Sequence, residues 1–302
     1  MRESYVTVDG HEVKLTNLDK LIWPEGLTKA HLVKYYWEIA PYILPHLYNR
    51  PLVMKRYPDG VAGEPFYQKE CPDYAPPWIQ THSVEHTEKV VNYIICNDEA
   101  TLLWLANQAC IEIGHPLVNI SNGGNLEHPD LAVIDLDPSD NNSFEQVIKL
   151  ALLVRKSFEE FGIRSYPKTS GARGLHIYVP IKMAYPWKLV TKTMKFIAEI
   201  IVRTCPDIAT TERRLIDRKG RIYVDYLQNG RGKTMIAPYS VKALPKAPVS
   251  TPLHWWEVEK WAFYPSDFNM NTVFSRIQKY GDIFKEALAL KQSLGKLVKM
   301  LN

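Results

Sequence analysis

Leu131-Ala-Val-Ile-Asp-Leu-Asp137 is the stretch from which the fold can be read. Five apolar residues in seven, closing on two acids, describe a buried strand that reaches the edge of its sheet at its carboxyl end. After a Pro138-Ser-Asp-Asn-Asn142 turn, Ser143-Phe-Glu-Gln146 has the form of a capping box. Phe144, Val147, Ile148, Ala151, Leu152 and Phe158 then recur at helical spacing. Further on, Arg164–Thr169 and Leu175–Pro180 read as strands around a turn. Trp187–Cys205 reads as a long helix, with Val190, Met194, Phe196, Ile197, Ile200 and Ile201 as its apolar positions. Arg221–Leu227 and Thr234–Ala237 read as strands again. Strands alternate with helices while hairpins intervene, so the expected class is α/β (α+β): mixed central sheets flanked by helices.

Outward from this centre the signals thin. Thr28 suits an N-cap before an amphipathic run through Leu32, Val33, Tyr36 and Ile39. Pro58–Pro77, rich in Gly, Pro and aromatics, reads as an irregular excursion. Val90–Cys96 suggests a strand, Glu99–Cys110 a buried helix, and Val273–Leu301 a helical tail. Trp255 and Trp256 read as packing residues, and Glu112 as a buried, hydrogen-bonded acid. At 302 residues, one α/β domain with two lobes is the default.

The composition is that of a soluble globular chain, with 46% hydrophobic and 23% charged residues. No apolar run approaches the length of about 18 residues that a membrane-spanning helix needs, and Met1-Arg-Glu-Ser-Tyr-Val6 has no apolar leader segment. Cys71, Cys96, Cys110 and Cys205 form no C-x-x-C pair, so reduced thiols in a cytoplasmic protein are expected in place of a zinc site. Net charge is only +4, but Thr211–Lys246 holds nine basic residues against three acids. A local basic stretch suits a polyphosphate or a nucleic-acid backbone, and equally a solvated loop.

Three elements carry chemistry. Asp135 and Asp137 lie two apart on a strand and therefore leave the same face. Carboxylates so placed repel unless a cation lies between them, and hard divalent ions prefer such oxygen ligands. A lone D-x-D is more often an ordinary strand end. Asp225, in Arg221-Ile-Tyr-Val-Asp-Tyr226, shares its face with Tyr223 and offers a third carboxylate or a partner for nearby arginines. Ser170-Gly-Ala-Arg-Gly-Leu-His176 places two glycines in a tight connection, where backbone N–H groups can approach phosphate oxygens. It also fits a plain hairpin turn. Ser170 has no acid–base relay beside it, so a hydrolase triad lacks support.

Together, D-L-D, S-G-A-R-G-L-H and I-Y-V-D-Y-L-Q-N resemble, in order, the three motifs of the archaeo-eukaryotic primase superfamily. T-N-L-D-K, K-R-Y-P-D-G, F-Y-Q-K, P-K-T-S-G, D-Y-L-Q-N-G-R-G-K-T and A-P-Y-S-V-K resemble one branch of it, the polymerase domain of the ligase D proteins of non-homologous end joining. The likeness runs from about Asn17 to Pro252. It implies a single primase–polymerase domain over 1–302 with a primase-like core: an N-terminal lobe over about 1–125 with a DNA-end 5′-phosphate site, a catalytic core over about 126–255 and a helical segment over about 256–302. It implies Asp135, Asp137 and Asp225 as ligands of two divalent ions, Mn²⁺ or Mg²⁺. Ser170, Arg173 and His176 would hold the nucleoside triphosphate, with Lys168 and Gln228 beside them. Lys242 stands where the family often has arginine; it keeps the charge and loses the bidentate fork. Asn17, Lys20, Lys29 and Lys55 would bind the 5′-phosphate. Phe66 and Tyr67 would pack on template bases, although the residues alone suggest core positions. Arg218 falls in a loop that positions template and primer ends.

The implied function is templated addition, with ribonucleotides preferred, at gapped or recessed DNA ends bearing a 5′-phosphate. The implied partners are a Ku-type end-binding protein, a DNA ligase on a separate chain or removed domain, and a second copy bridging two ends; the implied location is the nucleoid of a prokaryotic cytoplasm, away from membranes. Lys55–Gly60 reads K-R-Y-P-D-G, which is not the K-x-D-G ligase signature. A stand-alone replicative primase and a non-catalytic end-bridging module are the alternatives. A nuclease would fit three acids but explains neither the Ser170–His176 turn nor the basic stretch as well.

Overall fold

Residues 3–121 and 123–301 are described by the computed structural model and fall into two units. The first takes the chain up to Gly124 with Thr234–Val249 and Asn269–Phe274; the second takes Asn125–Lys233, Ser250–Phe268 and the chain from Ser275. The first unit opens with a hairpin, β1 (Glu3–Val8) and β2 (His11–Thr16), that the sequence reading did not anticipate. Its turn is Asp9-Gly10, both at positive φ (50° and 76°), the pair that a two-residue hairpin favours. Thr28 precedes α1 (Lys29–Leu47) as expected, and Leu32, Val33, Tyr36 and Ile39 are buried. The central sheet holds β3 (Val53–Arg56) and β4 (Phe66–Gln68), so the Pro58–Pro77 stretch is not wholly irregular: β4 pairs antiparallel with β3.

β5 (Thr81–Glu85) and β6 (Val90–Ile94) form a separate hairpin. Asp98 caps α2 (Glu99–Asn107), its carboxylate accepting from Thr101 N at 2.7 Å. This helix ends short of Cys110 because Ala109, at φ 54°, turns the chain into β7 (Cys110–His115). The later strand Met235–Ile236 closes the sheet in the order Met235–Ile236, β7, β3, β4.

The second unit is built on β8 (Leu131–Asp137), α3 (Phe144–Glu159), β9 (Tyr166–Thr169), β10 (Leu175–Pro180), α4 (Trp187–Thr204), β11 (Ala209–Thr210), α5 (Leu215–Arg218) and β12 (Ile222–Asp225). Its five-stranded sheet has the order β11-β12-β8-β10-β9, parallel only between β11 and β12. Period-two alternation divides each strand. Ala132, Ile134, Leu136, Leu175, Ile177, Val179, Ile222 and Val224 join the apolar faces of α3 and α4 in one core. Asp135, Asp137, His176, Tyr178, Tyr223 and Asp225 are left to the opposite face.

The tail beyond α6 (Trp255–Glu259) is broken into helices at Val273–Tyr280, Lys285–Ala289 and Gly295–Lys299. Trp255 packs as expected, its indole N–H donating to Ser165 O at 2.7 Å, whereas Trp256 is 40% exposed.

β12 stops pairing with β8 after Asp225, which leaves the Val133 peptide groups beyond its reach. Asn229, fully buried, takes the place of a strand there: its Oδ1 accepts from Val133 N (2.8 Å) and its Nδ2 donates to Val133 O (2.7 Å) and Tyr226 O (2.8 Å). The amide thus pins the turn that follows Asp225 onto β8. In the same unit, the half-buried Arg276 guanidinium grips both Glu257 carboxylate oxygens and Pro252 O, and stacks near Phe268 and Tyr280.

Asn229→Ala removes three buried hydrogen bonds and is expected to cost about 2–3 kcal/mol, read as a lower urea midpoint at unchanged m-value. Arg276→Ala strands a buried carboxylate and is expected to cost about 3–5 kcal/mol by the same measurement.

Candidate active site

The sheet register draws one row of side chains across the second unit. Asp225 on β12 is the cross-strand partner of Asp135 on β8, Asp135 of His176 on β10, and His176 of Lys168 on β9. Asp137 lies two positions along β8, opposite Tyr223. Cross-strand partners on one face have Cβ atoms about 5 Å apart, and like charges directly opposite are destabilising without compensation.

The structure supplies that compensation residue by residue. Asp225 accepts from Tyr223 Oη (3.0 Å), Leu227 N (2.7 Å) and Gln228 Nε2 (2.9 Å). Burial, and then the Asp225 carboxylate, push the Tyr223 hydroxyl far above its ordinary pKa, so it remains a donor. His176 Nε2 stands 3.5 Å from Asp135 Oδ1. Arg218 Nη1 lies 2.8 Å from Asp137 Oδ2, with the guanidinium 4.6 Å over the Tyr223 ring.

The Ser170–His176 connection is shaped by its serine and by both glycines. Gly171 takes φ 80°. A Cβ at Gly174 would stand 2.4 Å from Leu136 O, so only glycine lets the turn lie this close to β8. Ser170 Oγ accepts from Ala172 N (3.1 Å) and Gly174 N (3.2 Å), so the side chain itself takes two of the amides that the sequence offered to a phosphate. At the turn Arg173 is exposed and pairs with Asp140 at 2.6 Å. Lys168 is fully buried, its ammonium against Ser250 Oγ and near Thr169 O (3.4 Å). Gln228 acts on Asp225. The metal and nucleotide candidates Asp135, Asp137, Asp225, Ser170, Arg173, His176, Lys168 and Gln228 therefore share one unit with Arg218.

The remaining candidates belong to the first unit. Asn17 (φ 52°), Lys20 and Lys29 are drawn together by Lys20 N→Asn17 O (2.9 Å) and Lys29 N→Lys20 O (2.8 Å). Lys20 pairs with Asp59 at 3.0 Å. Lys29 is buried and donates to Asn107 O at 2.9 Å; burial first, then Lys20 and Arg56, lower its pKa to about 8. Phe66 (43% exposed) and Tyr67 (69%) are surface residues, against the core reading that the residues alone suggest. Arg56 lies 5.3 Å from the Phe66 ring and Lys55 lies 5.5 Å from the Tyr67 ring, each across the β3–β4 pair.

Glu112, buried as expected, gathers Lys242 Nζ (2.8 Å), Lys55 Nζ (3.5 Å) and Tyr57 Oη (3.0 Å). Burial raises its pKa, and the two lysines with Tyr57 outweigh that, so its carboxyl sits below the ordinary range. Arg56 and Glu112 were not singled out as site residues. Arg56 lay within the K-R-Y-P-D-G string, and Glu112 carried no local signal, because its lysine partners are distant in sequence.

Asp135, Asp137 and Asp225 fit a divalent-ion site by their chemistry: three carboxylates on one sheet face, from adjacent strands in register. Among the described residues no three Asp, Glu, His or Cys side chains are gathered at metal-ligand spacing, since each of these carboxylates is turned to its own partners. No helix among the described residues is long and apolar enough to cross a membrane.

The model of the family described as LigD, primase-polymerase domain, matches residues 28–284. The bifunctional non-homologous end joining protein LigD of Bacillus subtilis (strain 168) is 37% identical over 275 residues, covering 89% of this chain and 43% of that protein. The multifunctional non-homologous end joining protein LigD of Mycolicibacterium smegmatis is 33% identical over 273 residues, covering 90% of this chain and 35% of that protein. The chain thus spans less than half the length of these relatives. The solved polymerase domain from Mycobacterium tuberculosis ligase D, in complex with DNA, superposes with a TM-score of 0.85 at 31% identity, covering 93% of this chain and 99% of that one. With the family pattern present over most of its length, and the mixed sheets and helices of a solved member, the chain belongs to the LigD primase-polymerase domain family of nucleotidyltransferases.

Proposed function

We propose that this chain extends recessed 3′ ends and fills short gaps at broken DNA ends during non-homologous end joining. The oxygen of a primer 3′-hydroxyl attacks the α-phosphorus of a templated nucleoside triphosphate, the bond to the bridging oxygen of the β-phosphate breaks, and pyrophosphate leaves. The observation that carries this reading is the Asp135–Asp225 pair, in register across β8 and β12, with Asp137 on the same face. These three would hold two divalent ions, Mn²⁺ or Mg²⁺, which when bound favour deprotonation of the hydroxyl and neutralise the triphosphate.

The chain's own residues do the rest. Tyr223 and Gln228 hold the Asp225 carboxylate aimed. His176, one strand from Asp135, and Arg173, at the turn, supply donors to the triphosphate; Ser170 both shapes the turn and presents a hydroxyl. Lys168, fully buried, is the cross-strand neighbour of His176 in the same row. In the first unit Asn17, Lys20, Lys29 and Lys55 take a 5′-phosphate, and Phe66 and Tyr67 stack on template bases. Arg218 orders the loop that meets the primer end.

Ribonucleotides are the preferred substrates. The partners are DNA ends with a 5′-phosphate, a Ku-type end-binding protein, a DNA ligase and a second copy bridging two ends, in the nucleoid of a prokaryotic cytoplasm.

Gap filling on a duplex with a recessed 3′ end and a 5′-phosphate across the gap tests the assignment, run with ribo- or deoxynucleotides in Mn²⁺ or Mg²⁺. Wild type is expected to add the templated nucleotide, ribonucleotides faster. Asp135→Ala is expected to lose synthesis by about a thousandfold or more while keeping DNA affinity within about twofold. Synthesis that survives Asp135→Ala sinks the active site; synthesis indifferent to the 5′-phosphate moves the biology to priming; DNA binding without any synthesis leaves an end-bridging module.

Lys29 supplies a second test. With its pKa lowered to about 8 from an ordinary 10.5, it is partly neutral in the folded protein at and above pH 8. A phosphate dianion favours the charged form, so binding a 5′-phosphorylated end takes up a proton between about pH 8 and 10. Calorimetric titration at pH 8.5 in two buffers of different ionisation enthalpy is expected to give different apparent enthalpies, and Lys29→Met to abolish the difference. Identical enthalpies for wild type in both buffers remove Lys29 from the phosphate site.

A further inference from the structure

Leu215 and Ile216, on α5, are 67% and 78% exposed, among the most exposed large apolar side chains of the described chain. Scattered exposed aliphatics need no explanation, but two in succession at the tip of a charged loop do. This tip is held in place from behind. Arg218, at the end of the same helical turn, reaches Asp137 Oδ2 at 2.8 Å and Arg213 O at 3.2 Å. Asn142 Nδ2 donates to Gly220 O at 2.8 Å, and Ser139 Oγ donates to Arg221 O at 3.0 Å. Lys219 (φ 51°) and Gly220 (φ 76°) turn the chain sharply back into β12. The aliphatic pair is therefore presented by a braced loop two positions before the arginine that meets a catalytic carboxylate.

Its surroundings decide what covers it. Between Glu212 and Arg221 the chain carries Arg213, Arg214, Arg218, Lys219 and Arg221 against Glu212 and Asp217. A protein or lipid surface would meet the apolar tip, but the exposed Arg213, Arg214 and Lys219 that flank it in sequence select a polyanion. Within a nucleic acid the apolar surface is the face of a base, reached where stacking ends. Leucine and isoleucine are among the side chains that proteins insert between bases as wedges.

We infer that Leu215 and Ile216 form an aliphatic wedge that stacks on the terminal base pair of the primer–template end and parts it from the next template base, with the flanking Arg213, Arg214 and Lys219 on the phosphates. The wedge deepens the proposed polymerase reading and rests on it. It makes the loop a device for choosing paired 3′ ends that abut a template gap, because only there does unstacking one base open the templating position. Leu215 and Ile216 are positioning residues: they touch the end and not the reacting atoms.

The test uses a gapped duplex with 2-aminopurine as the first unpaired template base, the whole chain, and the double variant Leu215→Ser/Ile216→Ser. Both positions are exposed, so the variant is expected to keep the wild-type Tm. On binding without nucleotide, wild type is expected to raise the fluorescence several-fold as the base unstacks. The double variant is expected to bind within about twofold and leave the signal near that of DNA alone. Its gap filling is expected to fall about tenfold on a one-nucleotide gap, the equivalent of one lost aliphatic contact, and about twofold on an open overhang.

Asp135→Ala, which removes synthesis, is expected to keep the fluorescence rise, so that the wedge and the chemistry fail separately. Equal fluorescence with wild type and the double variant, while wild type fills gaps, overturns the wedge alone. A variant that leaves fluorescence unchanged but alters the sedimentation of the protein shows the tip to be a protein contact, and overturns the wedge as well.

Discussion

Two carboxylates facing each other across an antiparallel pair, Asp135 and Asp225, are the constraint around which the second unit is arranged. Like charges at that spacing repel, and the sheet gains nothing structural from them. Much of what surrounds them serves to hold both in place. Tyr223 and Gln228 satisfy Asp225, His176 stands beside Asp135, and Arg218 neutralises Asp137. Asn229 then locks the turn that delivers Tyr226–Gln228, so the short D-Y-L-Q-N segment supplies a carboxylate, its orienting amide and the clamp that fixes both. A protein that needed only a stable sheet would place apolar residues here.

The opposite face of the same strands shows how little freedom remains. Ala132, Ile134, Leu136, Leu175, Ile177 and Val179 are committed to the core beneath α3 and α4. A one-residue slip in β8 would bury Asp135 and Asp137 among them, so the apolar face fixes the register that the chemistry uses. Gly174 answers the same demand: β8 and the Ser170–His176 turn approach so closely that no side chain fits between Gly174 and Leu136 O.

The first unit follows a different logic. Its basic residues have internal partners: Lys20 pairs with Asp59, Lys29 donates to Asn107 O, and Lys55 and Lys242 meet Glu112. A single buried carboxylate holding two lysines and a tyrosine hydroxyl sets their spacing, and Phe66 and Tyr67 lie at the surface, each opposite a cation of β3, Arg56 across from Phe66 and Lys55 across from Tyr67.

Local patterns in the chain determined a good deal by themselves. The apolar run ending in D-L-D, the capping box at Ser143, the alternation in Leu175–Pro180 and the amphipathic Trp187–Cys205 each follow from the period of a helix or strand, and all are present. The ordered motifs likewise carried the family. The Asp9-Gly10 hairpin was legible in principle from its turn residues, whereas β4 was hidden by the glycines and prolines around it, and the Glu99–Cys110 helix ran long because nothing local marks the positive φ of Ala109. Only the tertiary structure decided which side chains meet: Asp135 with Asp225, Glu112 with Lys242, Arg218 with Asp137, and the exposure of Phe66, Tyr67, Leu215 and Ile216. The reason is physical. Period and turn chemistry are properties of neighbours along the chain, while ion pairing, burial and cross-strand register are properties of residues tens to more than a hundred positions apart, brought together by packing that no short window of sequence contains.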